Sequence, residues 1–370
     1  MEAGYLAAGW TVTTGHSDAD LFVVRGCSVT ARAQYECERL IAHLKHKYPT
    51  VPIAVCGCLK KNSDALSAFS FQSPIPGNSQ ALPSRTARAY LKVQDGCSGK
   101  CTFCIVPKFR GASKSDGFTA ILDRARRFID SGYHEIVITG CNLALYASAG
   151  KRLPDLLSAL AGLASDCRIR LGSLEPGSCA IETIHAMSEH SNICRFLHLP
   201  VQSGADTILK AMRRPYLVDD VEKTVKLAAT LMPRIGLGCD LMTGFPGETA
   251  LNFTATAGLL KRLPFTNAHI FPFSARPETL AAGFPLQIAR EVKSARAHEL
   301  SALIRPKRSK FARSFVGKTV EIVVEDEKPG RGWTSEYLPC KITKNVPARK
   351  SLARVLVTNV EDDILKGHLK

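Results

Sequence analysis

The sequence predicts a multidomain α/β protein with an incomplete parallel α/β layer, a parallel (β/α) half-barrel and a small β-barrel. Three patterns carry that expectation. A strand, a helix and a strand follow one another between Asp20 and Cys58, strand-like and helical runs alternate from Ala89 to about residue 285, and short alternating apolar runs fill the segment after Val316. At 370 residues the chain exceeds one ordinary core, and its 45% apolar content is that of a folded protein.

Asp20-Leu21-Phe22-Val23-Val24-Arg25-Gly26-Cys27 reads as a buried strand ending in a Gly turn, and Val51-Pro52-Ile53-Ala54-Val55-Cys56-Gly57-Cys58 repeats the design. Ala31 to Lys47 between them has an amphipathic helical pattern. This parallel unit puts Cys27 and Cys58 at the carboxyl ends of two strands, where open α/β sheets bind ligands. Met1 to Gly9 reads as the tail of a helix, so the layer is expected to lack its opening strand. Residues 63–88 are rich in Ser, Pro, Asn and Gly and read as a linker.

Ala89 to Val93 begins the middle part. The later strands are Glu135–Gly140, Arg168–Ser173, Phe196–Pro200, Ile235–Met242 and Asn267–Phe271, with helical runs between them. Sites in such barrels lie at the carboxyl ends of the strands, and polar residues collect there: Thr139, Ser173, Glu175, Gln202, Ser203, Asp240, Ser274 and Arg276. Residues 288–313 read as a helix carrying eight Lys or Arg against Glu291 and Glu299, either a solvated face or a phosphate-binding strip; the one-signed charge favours the strip. In the final part, Val320–Val324 and Arg354–Val357 flank Gly330-Arg331-Gly332 and read as barrel strands. Trp333 and Tyr337 there suit either base stacking or the core. The expected division is 1–62, linker 63–88, 89–285, basic connector 286–314 and 315–370.

Lys and Arg exceed Asp and Glu by 49 to 33, a net charge of +16 that points to a polyanionic partner, RNA or DNA before a membrane. No apolar run reaches the ~18–20 residues that cross a bilayer, and no leader pattern opens the chain, so a cytosolic protein is expected. Thirteen cysteines in that setting argue for metal binding plus buried thiols and against a disulfide framework. Cys97, Cys101 and Cys104 fall within eight residues on a Gly/Lys-rich loop. Cys-x3-Cys-x2-Cys turns three soft thiolates toward one centre, which suits an iron–sulfur cluster with one open iron; zinc is the rival ligand, although a closed zinc site wants a fourth donor. Cys141, Cys167, Cys179, Cys194, Cys239 and Cys340 fall in no ligand spacing and are expected to be core thiols, as are Cys37 and Cys56.

Asp95-Gly96-Cys97 through Cys104-Ile105-Val106-Pro107, with Arg110-Gly111, resembles the signature of radical S-adenosylmethionine (SAM) enzymes, and within them the methylthiotransferases. Further similar motifs follow in order: Thr139-Gly140 with Tyr146, Arg170 to Pro176, His198 to Gly204, Met212-Arg213-Arg214, Asp240 with Gly244 to Thr249, and His269 to Ser274 with Arg276-Pro277. The first segment resembles the family's flavodoxin-like auxiliary-cluster domain, here partial, and the last resembles a TRAM domain with Gly332-Trp333-Thr334 and Tyr337 at its core. Gly26 to Thr30, Leu91 to Gly96 and Arg170 to Pro176 are most similar to the branch acting on threonylcarbamoyladenosine at position 37 of tRNA; the isopentenyladenosine branch and the branch acting on a ribosomal protein are less similar.

The resemblance implies a [4Fe–4S] cluster on Cys97, Cys101 and Cys104 whose open iron chelates SAM. Thr139, Gly140, Ser173, Glu175, Gln202 and Asp240 are then candidates to hold SAM, while Arg305, Lys307, Arg308, Lys310, Trp333 and Tyr337 are candidates for RNA. It further implies hydrogen abstraction from C2 of the adenine, sulfur from a second, auxiliary cluster, a tRNA anticodon loop as partner, a flavodoxin- or ferredoxin-type electron donor, and a monomer. Cys27 and Cys58 match the second and third auxiliary ligands, and the first has no counterpart. Two alternatives follow: an enzyme that cleaves SAM but cannot deliver sulfur, or a noncatalytic RNA-binding protein holding zinc.

Overall fold

Phe22–Gly26 alternates buried and exposed side chains, and as strand β1 it pairs in parallel with β2, Ile53–Gly57, with Phe22 opposite Ile53 and Gly26 opposite Gly57. Helix α1, Ala31–Lys47, joins them and buries Ile41 and Leu44 against Phe22, Val24 and Val55. β1 is therefore half-buried where the sequence suggested a fully buried strand: Val23 and Arg25 face outward. The strands converge at their carboxyl ends, since a Cβ on Gly57, at φ +94°, would lie 2.3 Å from Gly26 O. Cys27 and Cys58 are the next residues in the chain. They lie outside the described residues, as does most of the expected linker. The computed structural model describes residues 5, 8–13, 18–26, 31–57, 86–163 and 165–370.

Two compact units emerge. The first takes in β1, α1 and β2 together with residues 103–111, which hold helix α2 (Val106–Arg110), and 274–282. There Arg276 donates to Gln34 Oε1 and Lys108 Nζ to Glu278 O at 2.6 Å.

The second unit holds the remaining elements. β3 (Ala89–Lys92), β6 (Glu135–Thr139) and β9 (Arg168–Leu171) form one parallel sheet; β10 (Phe196–Gln202), β11 (Gly236–Thr243) and β12 (Asn267–Pro272) form another. An Ile169–Ile193 bridge and Leu174 N–H to His198 O at 2.9 Å link β9 to β10, so six parallel strands make an open arc. β4 (Gln94–Asp95) pairs with β5 (Lys114–Ser115), and β7 (Ala147–Ser148) with β8 (Lys151–Arg152). Between the strands run α3 (Phe118–Asp130), α4 (Leu153–Ala161), α5 (Ser178–Glu189), α6 (Asp206–Ala211), α7 (Val218–Leu231) and α8 (Ala250–Arg262). Each strand needs a helical return to stay parallel to the last, which is why the 2-to-3.6 switch in apolar period was legible.

Helix α9, Arg290–Arg313, lies against α8, β11 and β12 through Leu300 and Ile304. It leads into a closed barrel of β13 (Thr319–Asp326), β14 (Arg331–Thr334), β15 (Pro339–Ile342), β16 (Leu352–Glu361) and β17 (Ile364–Leu369), ordered β13-β14-β15-β17-β16. Val320, Ile322, Val324, Val355, Val357 and Leu365 fill it. Among the described residues, no helix is long and apolar enough to cross a membrane.

The barrel docks on the amino ends of the arc's strands through a buried charge cluster. Glu135, fully buried, accepts from Arg170 Nε at 2.7 Å and from Arg168, and Arg88 lies 3.9 Å away. Other guanidinium hydrogens reach barrel carbonyls: Arg168 donates to Glu321 O at 2.7 Å and Trp333 O at 3.0 Å, and Arg170 to Thr334 O at 2.8 Å and Ser335 O at 3.1 Å. A Cβ on Gly236 would lie 2.3 Å from Glu336 O, so the 334–337 turn sits directly on the start of β11.

Candidate functional site

The cysteine loop leaves β4 and is pinned from three sides. Gln94 Nε2 donates to Gly96 O at 2.7 Å and to Ser113 Oγ at 2.9 Å, while its Oε1 accepts from Asn142 N–H at 2.9 Å. Asp95 accepts from Lys92 at 3.0 Å and from Gly96 N–H; against the opposing effect of burial, these hold its carboxyl at about 2. Thr102, buried, donates through Oγ1 to Ala211 O at 3.0 Å and through N–H to Met212 O at 3.1 Å. The loop is thereby tied to the turn that ends α6.

That turn sends Arg214 back across the loop, Arg213 taking φ +54° to reverse the chain. Arg214 Nη1 donates to Cys101 Sγ at 3.1 Å, Nη2 to Glu175 Oε1 at 2.5 Å and Nε to Tyr216 Oη at 2.8 Å. Asn142 Nδ2 completes the group, donating to Glu175 Oε2 at 2.9 Å with Cys97 Sγ 4.0 Å away. Burial raises the Cys101 thiol and the Arg214 cation opposes that rise. Gly99 N–H donates to Cys97 Sγ at 3.3 Å, and a Cβ on Gly99 would lie 3.2 Å from Cys97 Sγ and 3.9 Å from Cys101 Sγ. A side chain there would press on Cys97 Sγ, which would have to give by a few tenths of an ångström. Cys104, half-buried, follows Cys101 by three residues and precedes α2. Two soft sulfurs that already accept from an N–H and a guanidinium fit a thiolate-bound cluster.

The six residues expected to hold SAM separate. Glu175 sits in the Arg214–Asn142 network. Thr139 is half-buried and Ser173 exposed, each at its strand's carboxyl end. Gly140 serves packing, since a Cβ there would lie 2.9 Å from Gln94 Oε1 and 2.8 Å from Leu143 Cδ2. Gln202, buried at the end of β10 with φ +67°, has an Oε1 atom without a hydrogen-bond partner among the described residues. Asp240 lies in mid-strand on β11, one layer deeper than the strand-end placement expected for it, and accepts from His198 Nε2 at 2.9 Å and His269 Nδ1 at 3.3 Å. Against burial, those two bonds hold its carboxyl at about 2.

The residues expected at RNA divide as well. Lys307 Nζ donates to Leu260 O at 2.6 Å, Lys261 O at 3.0 Å and Leu263 O at 2.5 Å, closing the carboxyl end of α8. Arg308 pairs with Asp363 at 2.6 Å. Arg305 and Lys310 are exposed. Trp333 stacks on Tyr337 with centroids 4.6 Å apart, donates to Glu325 at 2.7 Å and has Arg88 over its ring, while Tyr337 meets Phe196 and Arg170. Both rings belong to the barrel's seat. Cys167, Cys179, Cys194, Cys239 and Cys340 are buried, and burial pushes each thiol up, Cys194 to about 11 and Cys340 to about 12. Cys141 departs from the expected core placement: it is exposed, 3.3 Å from Asp95 Oδ1. Cys37 and Cys56 are half-buried.

Arg214, Asn142, His198 and His269 were not expected at the site, although all but Asn142 stand in quoted motifs. Arg214 and Cys101 are 113 positions apart, and no spacing rule joins them.

The family model "Radical SAM superfamily" matches residues 91–260, and "Uncharacterized protein family UPF0004" matches 1–71. The threonylcarbamoyladenosine tRNA methylthiotransferase MtaB of Bacillus subtilis is 29% identical over 91% of this chain and 84% of its own length. The protein of the same name from Chlamydia pneumoniae is 31% identical over 83% and 78%. The tRNA-2-methylthio-N(6)-dimethylallyladenosine synthase of Bartonella bacilliformis is 35% identical over 79% and 66%. Among solved structures, the radical SAM methyltransferase TsrM of Kitasatospora setae shares the fold, with TM-score 0.52 and 14% identity over 72% of this chain and 67% of that one.

Proposed function

The chain belongs to the radical SAM methylthiotransferase family, and from that premise we propose that it adds a methylthio group to C2 of N6-threonylcarbamoyladenosine at position 37 of tRNA. It is a radical SAM tRNA-modifying enzyme with a [4Fe–4S] cluster and SAM as cofactors. The observation that carries the reading is the hydrogen-bonded group in which Arg214 joins Cys101 to Glu175 and Asn142 joins Glu175 to the side of Cys97.

Cys97, Cys101 and Cys104 hold the cluster in this proposal, and when bound it supplies the one-electron chemistry that splits a C–S bond of SAM. The chain's own residues place the reactants. Gly99 N–H donates to Cys97 Sγ and Arg214 to Cys101 Sγ, so each of these sulfurs has a donor beside it. Glu175 carries the negative charge one hydrogen bond away, fixed from both sides by Arg214 and Asn142, and presents a carboxylate to a ligand's amino or hydroxyl group. Gln202 Oε1 offers a buried acceptor to a ligand N–H. Arg305 and Lys310, exposed on α9, meet tRNA phosphates. Cys27 and Cys58 serve the second cluster.

The threonylcarbamoyl reading is supported by relatives of that name aligning over most of both chains; the dimethylallyl reading is supported by the higher identity of the Bartonella relative over a shorter span. The test is anaerobic iron reconstitution followed by nucleoside analysis of tRNA from a host lacking its own methylthiotransferases. Restoration of methylthiolated threonylcarbamoyladenosine is expected, and Cys101→Ala abolishes both it and 5′-deoxyadenosine. Methylthiolated isopentenyladenosine instead overturns the substrate assignment, and unchanged 5′-deoxyadenosine in Cys101→Ala overturns the cluster assignment. Iron counts separate two clusters from one, at about eight and about four per chain.

A further inference from the structure

A second group of metal-ligating side chains stands apart from the cysteine loop. His198 on β10, Asp240 on β11 and His269 on β12 project from three neighbouring parallel strands, with Asp240 and His269 in register and His198 opposite Gly238. The two imidazoles converge on one carboxylate oxygen, His198 Nε2 at 2.9 Å and His269 Nδ1 at 3.3 Å, and the three donor atoms lie within 4.8 Å of one another. The rings face each other with centroids 5.0 Å apart. Glycine at 238 makes this possible, because a Cβ there would lie 2.6 Å from His198 Nδ1. The backbone of β11 is held by ladders on both sides, so the central donor is fixed. His198 is nearly buried, with 10% of its side chain exposed, whereas His269 is 63% exposed and opens the group to solvent.

We propose that His198, Asp240 and His269 form a binding site for one divalent transition-metal ion of the zinc or cobalt type, separate from the cysteine-bound cluster. Two imidazole nitrogens and one carboxylate oxygen are the donor set such ions take, with a fourth position left for water or another ligand. In a tetrahedral site with bonds of about 2.0–2.1 Å, neighbouring donors stand about 3.3–3.4 Å apart. The 3.3 Å pair already meets that spacing, and the 2.9 Å pair needs to open by about half an ångström to let the ion between. The ion takes the two ring nitrogens now turned toward Asp240, and each histidine binds as a neutral imidazole with its hydrogen on the other ring nitrogen. One carboxylate charge against a dication leaves the site at +1, which suits an anionic or water fourth ligand.

The test is zinc content of the full, anaerobically reconstituted chain after equilibration with zinc and exhaustive dialysis, measured beside iron by mass spectrometry. About one zinc per chain is expected. Asp240→Asn and His269→Ala should each lower it at least about tenfold while iron per chain stays constant. His269 is exposed, so that variant keeps the fold, which the retained iron reports. Cobalt bound to the full chain carrying Cys27→Ser, Cys58→Ser, Cys97→Ser, Cys101→Ser and Cys104→Ser should show tetrahedral visible bands without a thiolate charge-transfer band. Zinc that is absent after dialysis, or retained equally by both variants, or cobalt with a thiolate band, overturns the site. Because the readout is metal content, its failure leaves the SAM-cleavage assignment standing, and the reverse also holds.

Discussion

Replacing Glu135 by Gln removes the single anion between Arg168 and Arg170, whose side chains are 4% and 3% exposed. The size of the effect follows from two arguments that agree. Against the cost of its own burial, Arg170 and Arg168 hold the Glu135 carboxyl down from 4.5 to about 2, and at 1.36 kcal/mol per unit that linkage is about 3 kcal/mol. Removing one member of a buried ion pair independently costs about 3–5 kcal/mol. The depressed folded-state value fixes the sign: the contribution is fully present above the unfolded carboxyl value and is lost as pH falls from about 4.5 toward about 2. The assay is urea unfolding of cluster-free chains, followed by Trp333 fluorescence in a Trp10→Phe background, which leaves one tryptophan at the barrel junction. Glu135→Gln should be about 3 kcal/mol less stable at neutral pH, and the deficit should shrink through that acid window. A neutral-pH deficit under about 1 kcal/mol, or one unchanged by acid, refutes the buried charge cluster as the barrel's anchor.

Three further outcomes concern the cysteine loop and α9. Arg214→Lys keeps the charge but cannot reach Cys101, Glu175 and Tyr216 together, so 5′-deoxyadenosine formation should fall at least about tenfold with iron per chain unchanged; an unaltered rate counts against the network. Arg305→Ala with Lys310→Ala should make the logarithmic salt dependence of tRNA affinity shallower by about 2, whereas Lys307→Ala should instead cost about 1–2 kcal/mol of stability, because Lys307 is occupied by the carbonyls that end α8. Filter binding across a salt series and urea unfolding separate the two classes of lysine.

The alternation of apolar periods was enough to place the strands of the arc and two of the five strands of the barrel, because each such strand and helix shows its buried face in the residues themselves. The proposal of a cysteine triad rests on local spacing, since Cys97, Cys101 and Cys104 are neighbours in the chain. What the residues by themselves could not say is which charges are spent within the protein. Lys307 and Arg305 read alike in a basic run, yet one ends a helix and the other faces water. Trp333 and Tyr337 suited a stacking platform until the docked barrel put them over Phe196 and two arginines. Glu135 read as one more strand residue, and only the approach of Arg168, Arg170 and the barrel carbonyls gives it a partner set. Asp240 was expected at a strand end, and the strand register moved it into a layer with His198 and His269. Local patterning determined the strands and helices of the arc, because these are short-range properties of the chain. Partners that lie 113 residues apart, as Arg214 and Cys101 do, were decided only when the strands closed into an arc and the turn after α6 came down on the loop.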